Sequence, residues 1–158
     1  MGVVRLILAS ASPRRAELLR TAGFEFEIVA VSVDETVRDG ESPAAYVRRL
    51  AADKSFVASG FSRAIDGPPG GGHHIQDDVR DDAPIILGAD TTVVIDGEIL
   101  GKPRDDGDAA AMLRRLSGRR HEVLTGVSLR QAAYEVGRVE TSAVYFAPLS
   151  TGEMKVKS

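Results

Sequence analysis

The chain contains no cysteine. Disulfides and thiolate chemistry are therefore excluded, and a reducing cytosol is the default compartment. No apolar run approaches the ~18 residues that span a bilayer, so the sequence predicts no transmembrane helix. Val3 to Ala9 is too short and too early for a secretory apolar region, and Ser12-Pro13-Arg14-Arg15 continues one poorly. An excess of either charge is also lacking: 20 basic and 23 acidic side chains leave a net charge of −3. That balance gives no general attraction to nucleic acid or to an anionic membrane, so any anion site must be built locally. What is present is a chain of 158 residues, 43% hydrophobic and 27% charged. This is the composition of a soluble globular protein and enough length for one domain with a sizeable core.

Periodicity divides the chain into alternating strands and helices, which predicts the α/β class. Val3–Ala9 reads as a buried strand and Pro13 to about Ala22 as a helix, with Gly23 as its stop. Phe24, Phe26, Ile28 and Ala30 alternate with more polar neighbours, the period of a half-exposed strand. A second helix is expected from Ser42-Pro43, with Val47, Leu50, Ala51 and Val57 on its apolar stripe. Residues 61–83 are rich in Gly, Pro and Asp and read as a flexible loop insertion. Pro84 to Ala89 is a compact apolar strand, expected to end at Asp90-Thr91. Asp96-Gly97 between Thr92–Ile95 and Glu98–Leu100 is a hairpin signal. A third helix is predicted from about Asp106 to Leu116, then strands over 121–130 and 139–147, and a helix start at Pro148-Leu149-Ser150.

The stretch "SASPRR", Ser10 to Arg15, carries the first functional signal. Ser12 suits an N-cap and Pro13 the first helical position. Arg14 and Arg15 then fall in the first helical turn, where the helix dipole disfavours cations by about 0.3–1 kcal/mol. A bound anion reverses that sign: one charge contact with a phosphate at ~4 Å is worth about 4 kcal/mol gross at an effective dielectric of 20. Strand, tight turn and helix start is also a usual cradle for phosphate. Two solvated arginines are the alternative.

Other candidates follow. Asp90 closes an apolar strand, where α/β folds place ligands, and could be a metal ligand, a general base or a turn residue. Lys54 lies seven residues after Val47 and four after Leu50, so it shares their helix face and either snorkels to water or aims inward at an anion. Lys102, just past the hairpin, could reach a phosphate or remain an ordinary loop lysine. Asp34-Glu35 offers a second carboxylate group for a hard cation such as Mg²⁺, or a solvated loop. His73 and His74, beside Asp77 and Asp78, could bind a transition metal, but adjacent histidines in a Gly-Pro loop are more often solvated. His121 is assigned no chemistry.

In order along the chain stand "LILASASPRRAELL", "VDET", "ADKS", "LGADTTVVIDGEILGKP" and "LSGRRHEVLTGVSL". Together they resemble the Maf family of nucleoside triphosphate pyrophosphatases, over roughly residues 4 to 149. The resemblance implies a single elongated α/β domain with a nucleotide cleft, a fold shared with the inosine triphosphate pyrophosphatases. It implies cleavage between the α- and β-phosphates, a divalent metal, usually Mg²⁺, and commonly a cytoplasmic homodimer. Carried over by position, Asp90 is the catalytic residue and a metal ligand with Glu35. Ser10, Arg14, Arg15, Glu35, Lys54, Thr91 and Lys102 are substrate-binding residues. Arg14 and Thr91 match the branch acting on dTTP and UTP, where the branch acting on 7-methyl-GTP tends to have Trp and Gln. Family members continue past Ser150 with a pattern like "DKAGxYGIQG", which contributes part of the cleft wall, and nothing like it follows here. The resemblance therefore leaves a second expectation open, a nucleotide-binding chain with little or no turnover.

Overall fold

The computed structural model describes residues 4–65 and 83–154. The elements run β1 (Leu6–Ala9), α1 (Pro13–Thr21), β2 (Glu27–Ile28), α2 (Pro43–Ile65), β3 (Ile85–Ile95), β4 (Glu98–Leu100), α3 (Asp106–Leu116), β5 (Arg120–Gln131) and β6 (Tyr134–Tyr145). They build one mixed sheet in the order β2-β1-β3-β5-β6, with β4 also paired to β3. The α/β class is as the periodicity indicates. None of the described helices is long and apolar enough to cross a membrane.

The principal departure from the sequence reading is β3. The expected break at Asp90-Thr91 does not occur, and the strand runs unbroken from Ile85 to Ile95. Aspartate is a poor strand former in isolation. Here it is held by β5, which pairs antiparallel with β3 from Ile86↔Arg130 through Asp90↔Gly126 to Val94↔Glu122. The other edge of β3 is shared. β1 pairs with it in parallel up to Ala9↔Gly88, and β4 pairs antiparallel from Val93↔Leu100. Among the described residues, no strand covers 89–92 on that edge, so the sheet has a gap opposite Asp90.

Other boundaries shifted for local reasons. β2 shrinks to two residues because β1, its partner among the described residues, offers Ile7 and Leu8 before the chain turns at Ser10. α2 continues through 61–65, expected as loop, and the remaining 66–82, with His73, His74, Asp77 and Asp78, lie outside the described residues. On α2, Ala58 is fully buried where Val57 was expected. The helix predicted at Pro148–Ser150 is a single turn over 151–154. It carries a capping box: the Ser150 backbone N–H donates to Glu153 Oε2 at 2.7 Å, and the Glu153 N–H donates back to Ser150 Oγ at 3.4 Å. The Asp96-Gly97 hairpin forms as expected, with both φ angles positive at 53° and 76°. α3 matches its predicted span, capped by the Asp105 carboxylate on the Asp108 N–H at 2.7 Å.

α2 packs on one face of the sheet. Val47, Leu50 and Ala51 are fully buried with Tyr46, Val94 and Leu124 around them, and Ala58 meets Ile7, Ala9 and Ile86. The approach is close because two facing sheet residues have no side chain. A Cβ on Gly88 would lie 2.1 Å from the Ala51 carbonyl oxygen, and one on Gly126 would lie 2.2 Å from that of Val47. Polar contacts add to the fit: the Ser55 and Ser128 hydroxyls, both fully buried, meet at 2.9 Å. Ser128 donates to Glu135, which also takes the Arg48 guanidinium at 2.7 Å. On the opposite face, β6 leaves Tyr134 and Val136 exposed, at 69% and 67%, and Tyr145 at the strand's end is 72% exposed. The strand expected over 139–147 is observed as Tyr134–Tyr145, with Val139 packed on the core.

Gly126→Ala should push the α2 backbone off the sheet. The expected loss is about 1–3 kcal/mol, a fall in melting temperature of roughly 2–4 °C per kcal/mol. Gly60→Ala is the control. Its Cβ meets nothing within 4 Å inside α2, so thermal melting should show a small gain of about 0.4–1 kcal/mol.

Candidate active site

The gap in the β3 edge collects most of the residues singled out from the sequence. β1 leads into it through Ser10 and α1, and β4 leads out through Lys102. Asp90 projects from β3 toward α2 and is 9% exposed. Lys54 reaches down from the buried stripe of α2 and donates from Nζ to Asp90 Oδ1 at 2.8 Å. The inward alternative for Lys54 is the observed one, and Asp90 is a mid-strand residue, not a turn. The same ammonium stands 3.4 Å from Glu35 Oε1. Glu35 in turn accepts from Lys102 Nζ at 3.0 Å. Asp90, Lys54, Glu35 and Lys102 thus form one chain of alternating charge.

Burial grades this chain. The Lys54 and Asp90 side chains are 11% and 12% exposed, whereas Lys102 is 86% exposed. The Glu35 carboxyl is held below its ordinary value, first by the Lys102 hydrogen bond, against a smaller opposing effect of burial, and then by the charge of Lys54. Burial raises the Tyr46 phenol, and the charge of Asp90 adds to the effect.

Arg15 takes the other side of β3. Successive strand residues face opposite ways, so Thr91 points away from Asp90 and α2. Arg15 spans from α1 to this face, donating from Nη1 to Ser10 Oγ at 3.2 Å and from Nη2 to Thr91 Oγ1 at 3.3 Å. Thr91 also meets Thr125 Oγ1, on its β5 partner, at 3.0 Å. Arg14 is exposed and makes no side-chain bond to a described residue. Ser12 occupies the N-cap position as expected but makes no side-chain cap, and Pro13 opens the helix. Its own N–H is instead taken by Ser10 Oγ at 3.2 Å. The early N–H groups of α1 are left without a side-chain acceptor. His121 packs edge-on against Phe146 at 4.7 Å, away from this cluster in the sheet, and its buried Nδ1 has no partner among the described residues.

Sequence reasoning missed Tyr46 and Arg49, both on α2. Tyr46 donates to the Glu35 carbonyl at 2.9 Å, and Arg49 donates to the carbonyl of Thr36 at 3.0 Å. Their places on an amphipathic helix signal core and surface only. That they touch the 34–36 segment is a tertiary fact.

The protein is of the open mixed α/β sheet class, with its central strand uncovered beside Asp90, Lys54 on one face and Arg15 on the other. The fold resembles that of the Staphylococcus aureus Ham1 protein, with a TM-score of 0.51 at 14% identity, over 89% of this chain and 69% of that one. The chain belongs to the Maf-like protein family, whose model matches residues 5–156. A protein of Symbiobacterium thermophilum named dTTP/UTP pyrophosphatase is 46% identical over 151 residues, covering 96% of this chain and 68% of its own length. One of the same name from Hahella chejuensis is 47% identical over 156 residues, covering 98% of this chain and 69% of its own.

Because the Glu35 carboxyl is lowered in the folded state, its contribution to stability is present above its ordinary value of 4.5 and lost as pH falls through the lowered one. A carbon-13 NMR titration should place the Glu35 midpoint below that ordinary value. Lys102→Gln should move it upward, since the largest lowering cause is removed.

Proposed function

We propose that this chain is a nucleoside triphosphate pyrophosphatase acting on dTTP and UTP, releasing the monophosphate and pyrophosphate. The observation that carries the reading is the shared ammonium of Lys54, which draws the Asp90 and Glu35 carboxylates together at the gap in the β3 edge. The relatives named dTTP/UTP pyrophosphatase support the substrate. Arg14 and Thr91, the residue types of that branch, do so as well.

The donor set fits a hard divalent cation. Asp90 and Glu35, drawn to one ammonium at 2.8 and 3.4 Å, would supply carboxylate oxygens. Mg²⁺ is commonly held in this way, by one or two carboxylates with substrate phosphates and water completing its shell. When bound, it neutralises triphosphate charge and polarises the α-phosphorus. Asp90 accepts the proton of a water that attacks that phosphorus in line. The bond from the α-phosphorus to the bridging oxygen breaks, and pyrophosphate leaves with the electron pair. Lys54, Lys102, Arg14 and Arg15 hold phosphate oxygens and stabilise the charge developing on the leaving group. Ser10 fixes the turn from which the arginines project. Thr91 and Arg14, on the motif resemblance, recognise the base.

With Mg²⁺, dTTP and UTP should be turned over with pyrophosphate as the co-product. Coupled assays distinguish this from inorganic phosphate, whose release would refute the reaction class. Asp90→Asn keeps the size and hydrogen-bonding capacity of the side chain but removes its charge. The rate should fall by at least ~10²-fold with the fold intact by circular dichroism. Retention of most activity would reduce Asp90 to a structural partner of Lys54.

A further inference from the structure

Glu35 stands on no helix or strand. It lies in the segment Asp34-Glu35-Thr36, between β2 and α2, where a carboxylate would ordinarily wander. Here three successive carbonyl oxygens of that segment are held by two side chains of α2. Arg49 Nη1 donates to Asp34 O at 3.4 Å, the Tyr46 hydroxyl to Glu35 O at 2.9 Å, and Arg49 Nη2 to Thr36 O at 3.0 Å. The segment closes on itself through the Thr36 N–H, which donates to Asp34 Oδ1 at 3.0 Å.

The two clamping side chains are themselves fixed. Tyr46 is 9% exposed and belongs to the core cluster with Val47 and Leu50. Arg49 lies over the Tyr46 ring at 5.6 Å. Its Nε and Nη2 fork onto the two carboxylate oxygens of Glu41 at 2.6 and 2.9 Å, and Nη1 stands 3.6 Å from Asp53. The pair is robust to acid, since the Arg49 guanidinium brings the Glu41 carboxyl down to about 2. The clamp therefore uses backbone atoms alone and leaves the Glu35 side chain to point between Lys54 and Lys102.

We infer that Tyr46 and Arg49 are positioning residues for Glu35, aligning its carboxylate toward the bound nucleotide from a segment without regular structure. The inference rests on the reading of Glu35 as a residue of the nucleotide site. Tyr46 and Arg49 bond to the backbone of 34–36 and not to the Glu35 or Asp90 carboxylates, so they are placed to act through Glu35. Misplacement of a site group by as little as ~1 Å is enough to weaken function.

The test is a double-mutant cycle read by calorimetry with a non-hydrolysable dTTP analogue and Mg²⁺, alongside thermal melting. Tyr46→Phe keeps the ring in the core and removes only the hydroxyl, so it should fold and bind the analogue about 3–10-fold more weakly. In a Glu35→Gln background that loss should vanish, because the clamp then has nothing left to place. Arg49→Lys, which keeps the charge but loses the fork, should show the same dependence on Glu35 and serves if the first variant is unstable. An equal loss in both backgrounds would make the two residues merely structural and overturn the inference. So would full affinity in Tyr46→Phe when Glu35→Gln binds weakly. Unchanged affinity in Glu35→Gln alone would instead overturn the assignment of Glu35, and the inference with it.

Discussion

The backbone-to-backbone contact between α2 and the sheet, at Gly88 and Gly126, sets the scale of everything else. A helix normally stands off a sheet by the length of the intervening side chains. Here the carbonyls of Ala51 and Val47 occupy the space that two Cβ atoms would need. That closeness lets Lys54, with a stem of four methylenes, deliver its ammonium to Asp90 on the same face. It places Tyr46 and Arg49 at the height of the 34–36 segment. The same closeness brings Ser55 against Ser128 and Arg48 against Glu135, so that helix register is fixed by directional bonds as well as by packing. Shifting the helix along the sheet would break the site and the polar contacts together.

The charges of the site are arranged so that none is stranded. Burying one of the Lys54–Asp90 pair alone would be strongly unfavourable, and each partner compensates the other. An ammonium has three N–H donors. Asp90 and Glu35 occupy two directions around Lys54, which leaves one for a further acceptor. Lys102, almost wholly in water, is a weaker partner, since exposed ion pairs contribute little. The cluster therefore has a buried inner pair and an exposed outer one.

How much of this could be read beforehand depended on whether the determining contact was local. α3 and the Asp96-Gly97 turn were legible because caps and positive φ angles are properties of a few neighbouring residues. Lys54 was legible as a misfit, a cation at heptad spacing from Val47 on an apolar stripe. The continuity of β3 through Asp90 was not, because local propensity argues against aspartate in a strand. Only the β5 ladder and a lysine 36 residues away reverse it. Ser12 fills the N-cap position without a side-chain cap, and its own N–H donates to Ser10 Oγ. The motif resemblance located Ser10, Glu35, Thr91 and Lys102, but it could not show that Thr91 and Asp90 face apart. Tyr46, Arg49, Ser55 and Ser128 carried no signal, because ordinary residues become informative only through what they touch.

The alternation of β3 at Asp90 and Thr91 has a consequence for how such a protein can change over generations. Adjacent codons specify side chains in two separate compartments, one under α2 with Lys54, the other beside Arg15 and Thr125. A substitution at Thr91 remodels the second compartment while the peptide unit it shares with Asp90 stays clamped by the β5 ladder. The compartment beside Arg15 and Thr125 can therefore be rebuilt at position 91 without disturbing the Lys54–Asp90 ion pair on the other side of the sheet.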